Sequence, residues 1–483
     1  MTTTPQHRSQ PVAAHSVSRL GGIQQRLFPP RHGRGFLKNW VHHLPIIVGL
    51  SLIVALLAHW GWFHGFQTMA LDSLLLAQNS RRSDQVVIVT IGDDEFNSPE
   101  LFNGLSPLIP EKLGSILKAI AAGKPRLIAV DIDTSSQAQS AGYRQLADLI
   151  SGEVWPPIIW SVDGDVESGH HGGHDKPSLH VFPALAGTQS VTSGLIVMPS
   201  DPDGVIRRYY RSFQVTSEAS NKHASEDSHD SSHVDSLPWA VVKEYSRQTP
   251  QAELSKSLRH LRDNRSPPNE LLMNFPGDRY TFTHIAAQTV LDSYAKREFW
   301  SSEKSPIRDK IVLVGGTYRA ARDVHPTPVG LVSGVELLAL AVESEVQGTG
   351  IRLMHEAFAI LIDILFGSLL VYLNWRFVSP RAIFLNLFAV GILALIASYI
   401  TFNTFGYWLN FSLVLVGIWL HNQLDVVREL PRLHKEIHDL RSKLHGHERD
   451  IKNPSKVHSA TESTPTAASK PHLGHKTPDT PSS

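Results

Sequence analysis

Four long apolar runs, at residues 44–63, 357–373, 382–402 and 405–420, constrain this chain more than any other feature. Only one of their side chains, Asp363, is acidic or basic at neutral pH. A run of about 20 residues spans about 30 Å as a helix, the thickness of a hydrocarbon core. The first run follows a long basic arm and ends on bulky aromatics instead of small residues. It therefore reads as an uncleaved anchor with an interfacial belt at Trp60 and Trp62, not as a cleaved signal peptide.

Charge is sorted along the chain in a way that fits four spans. Residues 1–43 carry six Lys/Arg and no acid, whereas residues 64–353 carry 35 acids against 27 bases, a net of −8. The short 374–381 connection holds Arg376 and Arg381 and no acid, and 403–404 leaves room only for a hairpin turn. The positive-inside rule is satisfied with both termini cytoplasmic and residues 64–356 outside. Asp363, Asn386 and Asn410 are the strongly polar residues of the last three runs. An intramembrane carboxyl is a functional candidate, and the structural alternative is that Asp363 is protonated or bonded to Asn386 or Asn410 to hold the bundle together.

The segment between the first two runs alternates strand and helix signals. Val86–Ile91 and 127–133 read as strands buried on both faces, with shorter strands at 158–160, 271–275 and 310–314. Helices are expected at 110–122, 143–150 and 333–345, the first stopped by Gly123. The strands 194–198 and 205–213 flank Asp203-Gly204, a hairpin signal. Insertions at 164–176 and 216–236 are Gly/His- and Ser/His/Asp-rich and read as surface tracts. The pattern predicts an α/β domain with a mixed, partly parallel sheet.

Zero cysteines exclude disulfides, thiolate-bound metals and thiol catalysis, and equal counts of 45 basic and 45 acidic residues give no reason to expect a nucleic-acid partner. No nucleotide loop, zincin motif or nucleophile elbow occurs, so neither an enzyme nor a cofactor is expected. A metal-dependent outer activity through the acidic residues is the remaining catalytic alternative. Asp93, Asp94 and Glu95 follow the first strand, and Asp131 and Asp133 end the second, where period-two geometry puts them on one face. Asp323 joins them if strand 310–314 is parallel. Ligands of open α/β sheets bind outside the carboxyl ends of the strands, so these acids could hold a polar ligand or a divalent cation, or simply cap helices. Asp201-Pro202-Asp203-Gly204 lacks the rest of a calcium loop and reads as a turn. His170, His171 and His174, with His223, His229 and His233, form tracts suited to opportunistic metal binding.

Four stretches resemble the type-two CHASE domain, an extracellular sensory module of bacterial receptors: VVIVTIGDDEF (86–96), RLIAVDID (126–133), SDPDGVIRRYYRSF (200–213) and DKIVLVGGTYRAARDVHPTPVGLVSGVELLA (309–339). One span before the domain and three after it also fit. The chain departs from the family at 103–107, where a Trp-Pro segment is usual, and at Leu338, where the family has His. The resemblance implies an extracytoplasmic α/β sensory domain joined to four transmembrane helices in a bacterial inner membrane. Relatives carry a kinase or cyclase after the last span; here a short helical tail is expected instead.

In that tail Leu430, Leu433, Ile437, Leu440 and Leu444 follow coiled-coil spacing over 421–450, and 451–483 is Pro/Ser/Thr-rich. His438 lies in a string similar to a histidine-kinase phospho-acceptor box; no ATP-binding domain is expected after it, which leaves phosphorylation in trans as the alternative to a chance match. The expectation is a receptor-like protein in the lipid bilayer, a homodimer or part of a complex, that detects an unidentified ligand or envelope partner. A separate cytoplasmic effector would read its signal. The alternative is a non-catalytic membrane scaffold.

Overall fold

The computed structural model describes residues 36–78, 82–134, 140–165, 178–180, 191–215, 232–255, 258–259, 268–275, 281–296, 303–377 and 380–452. The helices used below are α1 (Phe36–His59), α2 (His64–Leu76), α3 (Asp93–Asn97), α4 (Pro110–Ala122), α5 (Ser140–Gly152), α6 (Leu237–Gln248), α7 (Ala287–Ala295), α8 (Gly334–Val346), α9 (Glu356–Arg376), α10 (Pro380–Phe405) and α11 (Phe411–Lys452). The strands are β1 (Val86–Ile91), β2 (Leu127–Asp131), β3 (Ile158–Asp165), β4 (Ser178–His180), β5 (Val191–Leu195), β6 (Arg208–Tyr210), β7 (Ser212–Val215), β8 (Ser232–Asp235), β9 (Glu270–Leu272), β10 (Thr283–Ala286), β11 (Ile311–Gly316), β12 (Val324–Thr327), β13 (Gly330–Ser333), β14 (Arg352–Leu353) and β15 (Tyr407–Trp408).

Six strands form one parallel sheet in the order β10-β1-β11-β2-β3-β5, and β4 adds antiparallel to the end of β3. The β-branched sequence of β1 explains its central place. Val86 and Ile88 enter a core shared with α2, α6 and α8, while Val87, Val89 and Ile91 enter a second core shared with α4, α5 and α7. A parallel sheet needs both faces covered, and period-two alternation of apolar residues supplies a surface for each. Gly315 of β11 lets α8 approach: a Cβ there would lie 2.6 Å from Val335 Cβ.

The turn at Asp201–Gly204 forms, with Gly204 at φ +78° and its N–H donating to the Asp201 carbonyl at 2.8 Å, but it does not make the expected hairpin. β5 pairs in parallel with β3, and β6 pairs antiparallel with β9. The turn's carboxylates instead surround the buried Arg207. Its guanidinium donates to Asp201 at 3.0 Å, to Asp203 at 2.9 and 2.8 Å, and in a bidentate pair to Asp72 of α2 at 2.7 and 2.8 Å.

Among the described residues, two helical segments are long and apolar enough to cross a membrane, 357–376 and 382–405, rather than the four expected. The first run is interrupted because the chain turns through 90° between α1 and α2, at the exposed Trp60 and Trp62; the bent pair counts as a third span only if taken together. Beyond the bend, Leu71, Leu74 and Leu75 of α2 are buried in the domain core. In the fourth run, β15 pairs with β14, so helix begins only at Phe411 and the apolar stretch Phe411–Leu424 is short. The anticipated turn at 403–404 is helical; the reversal falls at Gly406, where φ is +66°.

The polar residues of these runs also pair differently from the expectation. Asp363 is hydrogen-bonded by Ser51 of α1, the Asn386 amide donates to Asn374 at 3.0 Å, and Asn410 accepts from Ser412. The described residues from Leu420 to Lys452 belong to a separate compact unit. In it Ile437, Leu440 and His438 are exposed.

Candidate functional site

The carboxyl ends of β1, β11 and β2 lie side by side, because Thr90 is in register with Gly315 and Gly315 with Asp131. β11 is parallel, so the connection after it reaches the same rim. There the Thr317 N–H donates to the Ile91 carbonyl at 2.8 Å, and Tyr318 stacks on Phe96 of α3 with ring centroids 4.1 Å apart. The connection then passes through Asp323 into the β12–β13 hairpin, whose first strand carries His325.

Asp323 and His325 are hydrogen-bonded, Oδ1 to Nε2, at 2.7 Å. Asp323 lies over the first residue of α8: a Cβ on Gly334 would fall 2.0 Å from its Oδ2. Glycine is required there by the carboxylate, and a helix N-terminus favours the negative charge. Asp131 lies within electrostatic reach of this pair. Burial first, and then the Asp323 charge, push the Asp131 carboxyl up to about 7, while His325 acts in the opposite sense. The hydrogen bond to Asp323, then the charges of Asp323 and Asp131, raise His325 above its ordinary value against the effect of burial. Tyr143 of α5 is pushed up to about 12 by burial and by the charge of Asp133.

Of the five aspartates singled out in the sequence, Asp131 and Asp323 are brought together. β2 ends at Asp131, so the alternation that would set Asp133 beside it stops; Asp133 is exposed and acts on Tyr143. Asp93 accepts from the Arg319 backbone N–H at 2.9 Å and lies 3.4 Å from its Nε. Asp94 is exposed. Glu95 takes the capping role: its carboxylate accepts from the Gly92 N–H at 2.9 Å, closing the first turn of α3.

His325, Tyr318 and Tyr143 belong to the site but were not anticipated. The signal for His325 was its place two residues after Asp323, close enough in the chain for the two side chains to pair. Gly315 and Gly316 serve close packing, on Val335 and Tyr318. Among the described residues no group of three or more His, Asp or Glu is arranged to hold a metal ion. His170, His171, His174, His223 and His229 lie outside the described residues, and His233 is exposed on β8.

These elements define a class: an α/β module with a doubly covered parallel sheet and a titratable rim, bordered in the chain by apolar helices. The chain belongs to the CHASE2 domain family, which matches it over residues 48–373. That family is one of extracellular sensory domains, and with two apolar helices of spanning length the chain has the makings of a membrane protein. Comparison with curated proteins and with solved structures found no match.

Proposed function

We propose that this chain is a receptor-like sensor of the bacterial inner membrane, with a non-catalytic outer domain that signals to a separate cytoplasmic effector. The observation that carries the reading is the extent of the family match. It runs from within α1, through the whole α/β module, into α9, so the sensory domain and its flanking helices belong together. In this reading α1, α9, α10 and the start of α11 are four spans and both termini are cytoplasmic, in accord with the basic arm and the basic 374–381 connection.

The rim of Asp131, Asp323 and His325 is the ligand site. It offers a carboxyl that holds its proton to about 7 beside an imidazole–carboxylate pair, a set suited to a small polar ligand. The ligand must bind two states of the domain unequally to signal. The exposed Ile437 and Leu440 of α11 are seam positions for a second copy.

The test is crosslinking in native membranes followed by mass spectrometry, comparing the full chain with one ending at Leu420. Capture of a kinase or cyclase only by the full chain supports the sensor. Equal capture of envelope components by both forms overturns it in favour of a scaffold.

A further inference from the structure

A cavity of about 310 Å³ lies between α1, α9 and the start of α11, remote in sequence from the rim. Its wall is mainly apolar, with Val54 and Ala55 from α1, Ile360 from α9, and Leu413 and Val414 from α11. Polar groups interrupt it at several points. The Asp363 carboxyl lies seven residues past the start of α9, about 10 Å along the helix axis. It takes a hydrogen bond from Ser51, and α11 closes on it so tightly that a Cβ on Gly417 would fall 2.8 Å from Asp363 Oδ1. Trp408 is 9% exposed, and its indole N–H finds no acceptor among the described residues. Ser51 and Asn410 add two more polar groups, and His59 and Gln67, next to the α1–α2 bend, line the cavity as well.

A pocket made for an acyl chain needs no carboxyl, and a carboxyl placed only to join helices needs no space beside it. Here a carboxyl, an unused N–H donor and a ligand-sized apolar space occur together. We propose that this cavity binds an amphiphilic primary amine. Its ammonium pairs with Asp363, its apolar body fills the wall, and an oxygen on it accepts from Trp408. The amine is either a free small molecule or the aminoethyl headgroup of a membrane lipid, which share this chemistry.

The test uses the full chain in phosphatidylcholine nanodiscs, whose quaternary headgroups have no N–H to donate, with 2-amino-1-octanol as the probe and 1-octanol and octanoate as controls. Saturable one-to-one binding of the amino alcohol, with neither control bound comparably, is expected. Asp363→Asn should weaken it at least about tenfold, as expected on losing the charged partner of a buried pair. Ala55→Phe fills the space with Asp363 intact, and should abolish binding while the protein melts as a folded protein. That variant decides the matter if Asp363→Asn does not fold. Competition by added phosphatidylethanolamine assigns the site to a lipid headgroup, and its absence to a free amine. Octanol binding as tightly as the amine, or either variant binding normally, overturns the proposal.

Discussion

A carboxyl that keeps its proton to about 7 in the folded protein, but loses it near 4 when unfolded, ties stability to pH. Between those values the folded state binds more protons, so the contribution of Asp131 is complete below about 4 and is lost as pH rises through about 7. His325, raised by Asp323, acts in the same direction: its contribution is present below about 6.5 and lost as pH climbs through its folded value. The melting temperature of the full chain should therefore be lower at pH 8 than at pH 5. Asp131→Asn should shrink that difference; an unchanged difference would mean that Asp131 is not the group responsible. Arg207 makes a second prediction. It is buried among Asp72, Asp201 and Asp203, so Arg207→Met strands carboxylates and should cost about 3 kcal/mol in denaturant unfolding. That is the low end for a buried pair, because Asp72 and Asp203 keep some contact with water. Arg207→Lys should not restore the loss, since an ammonium cannot make the bidentate contact with Asp72. At this scale the sequence was half legible. Asp131 and Asp323 could be placed from strand ends alone, whereas the pairing of Arg207 with Asp72 joins residues far apart in the chain and left no local trace.

Among the elements, the strands were the most readable, because β1, β2 and β11 must show apolar side chains to two cores at once. Their amides should exchange with deuterium only on global unfolding, more slowly than those of β12 and β13; exchange of β11 as fast as β13 would contradict the doubly covered sheet. Turn chemistry was legible at Asp201–Gly204, but the partner strands were not, since a turn fixes a reversal and not the neighbour beyond it. Apolar length likewise located α9 and α10 but could not reveal where β15 interrupts the fourth run. The approach of α8 to β11 gives a further test. Gly315→Ala sets a methyl against Val335 and should destabilise the protein by about 1–3 kcal/mol in the same unfolding measurement. A Val335→Ala second change should recover part of that.

For the whole molecule, the way the chain enters its outer domain governs what can leave it. α1 and α2 meet at a right angle, and α2 is fixed to the domain by its apolar face and by the Asp72–Arg207 pair. A right-angled crank transmits lift poorly, since a pull normal to the bilayer is absorbed by opening the corner at Trp60–Phe63. It transmits turning well, because a domain that swivels about the bilayer normal sweeps α2 sideways and spins α1 about its own axis. If, as proposed, α1 spans the bilayer and the domain signals through it, the output should be torque and not a piston stroke. With no native cysteine to interfere, single cysteines stepped along α1 can read it: if the chain pairs with a second copy, as proposed, the residues that crosslink between copies on activation should change by helical face, without shifting in depth.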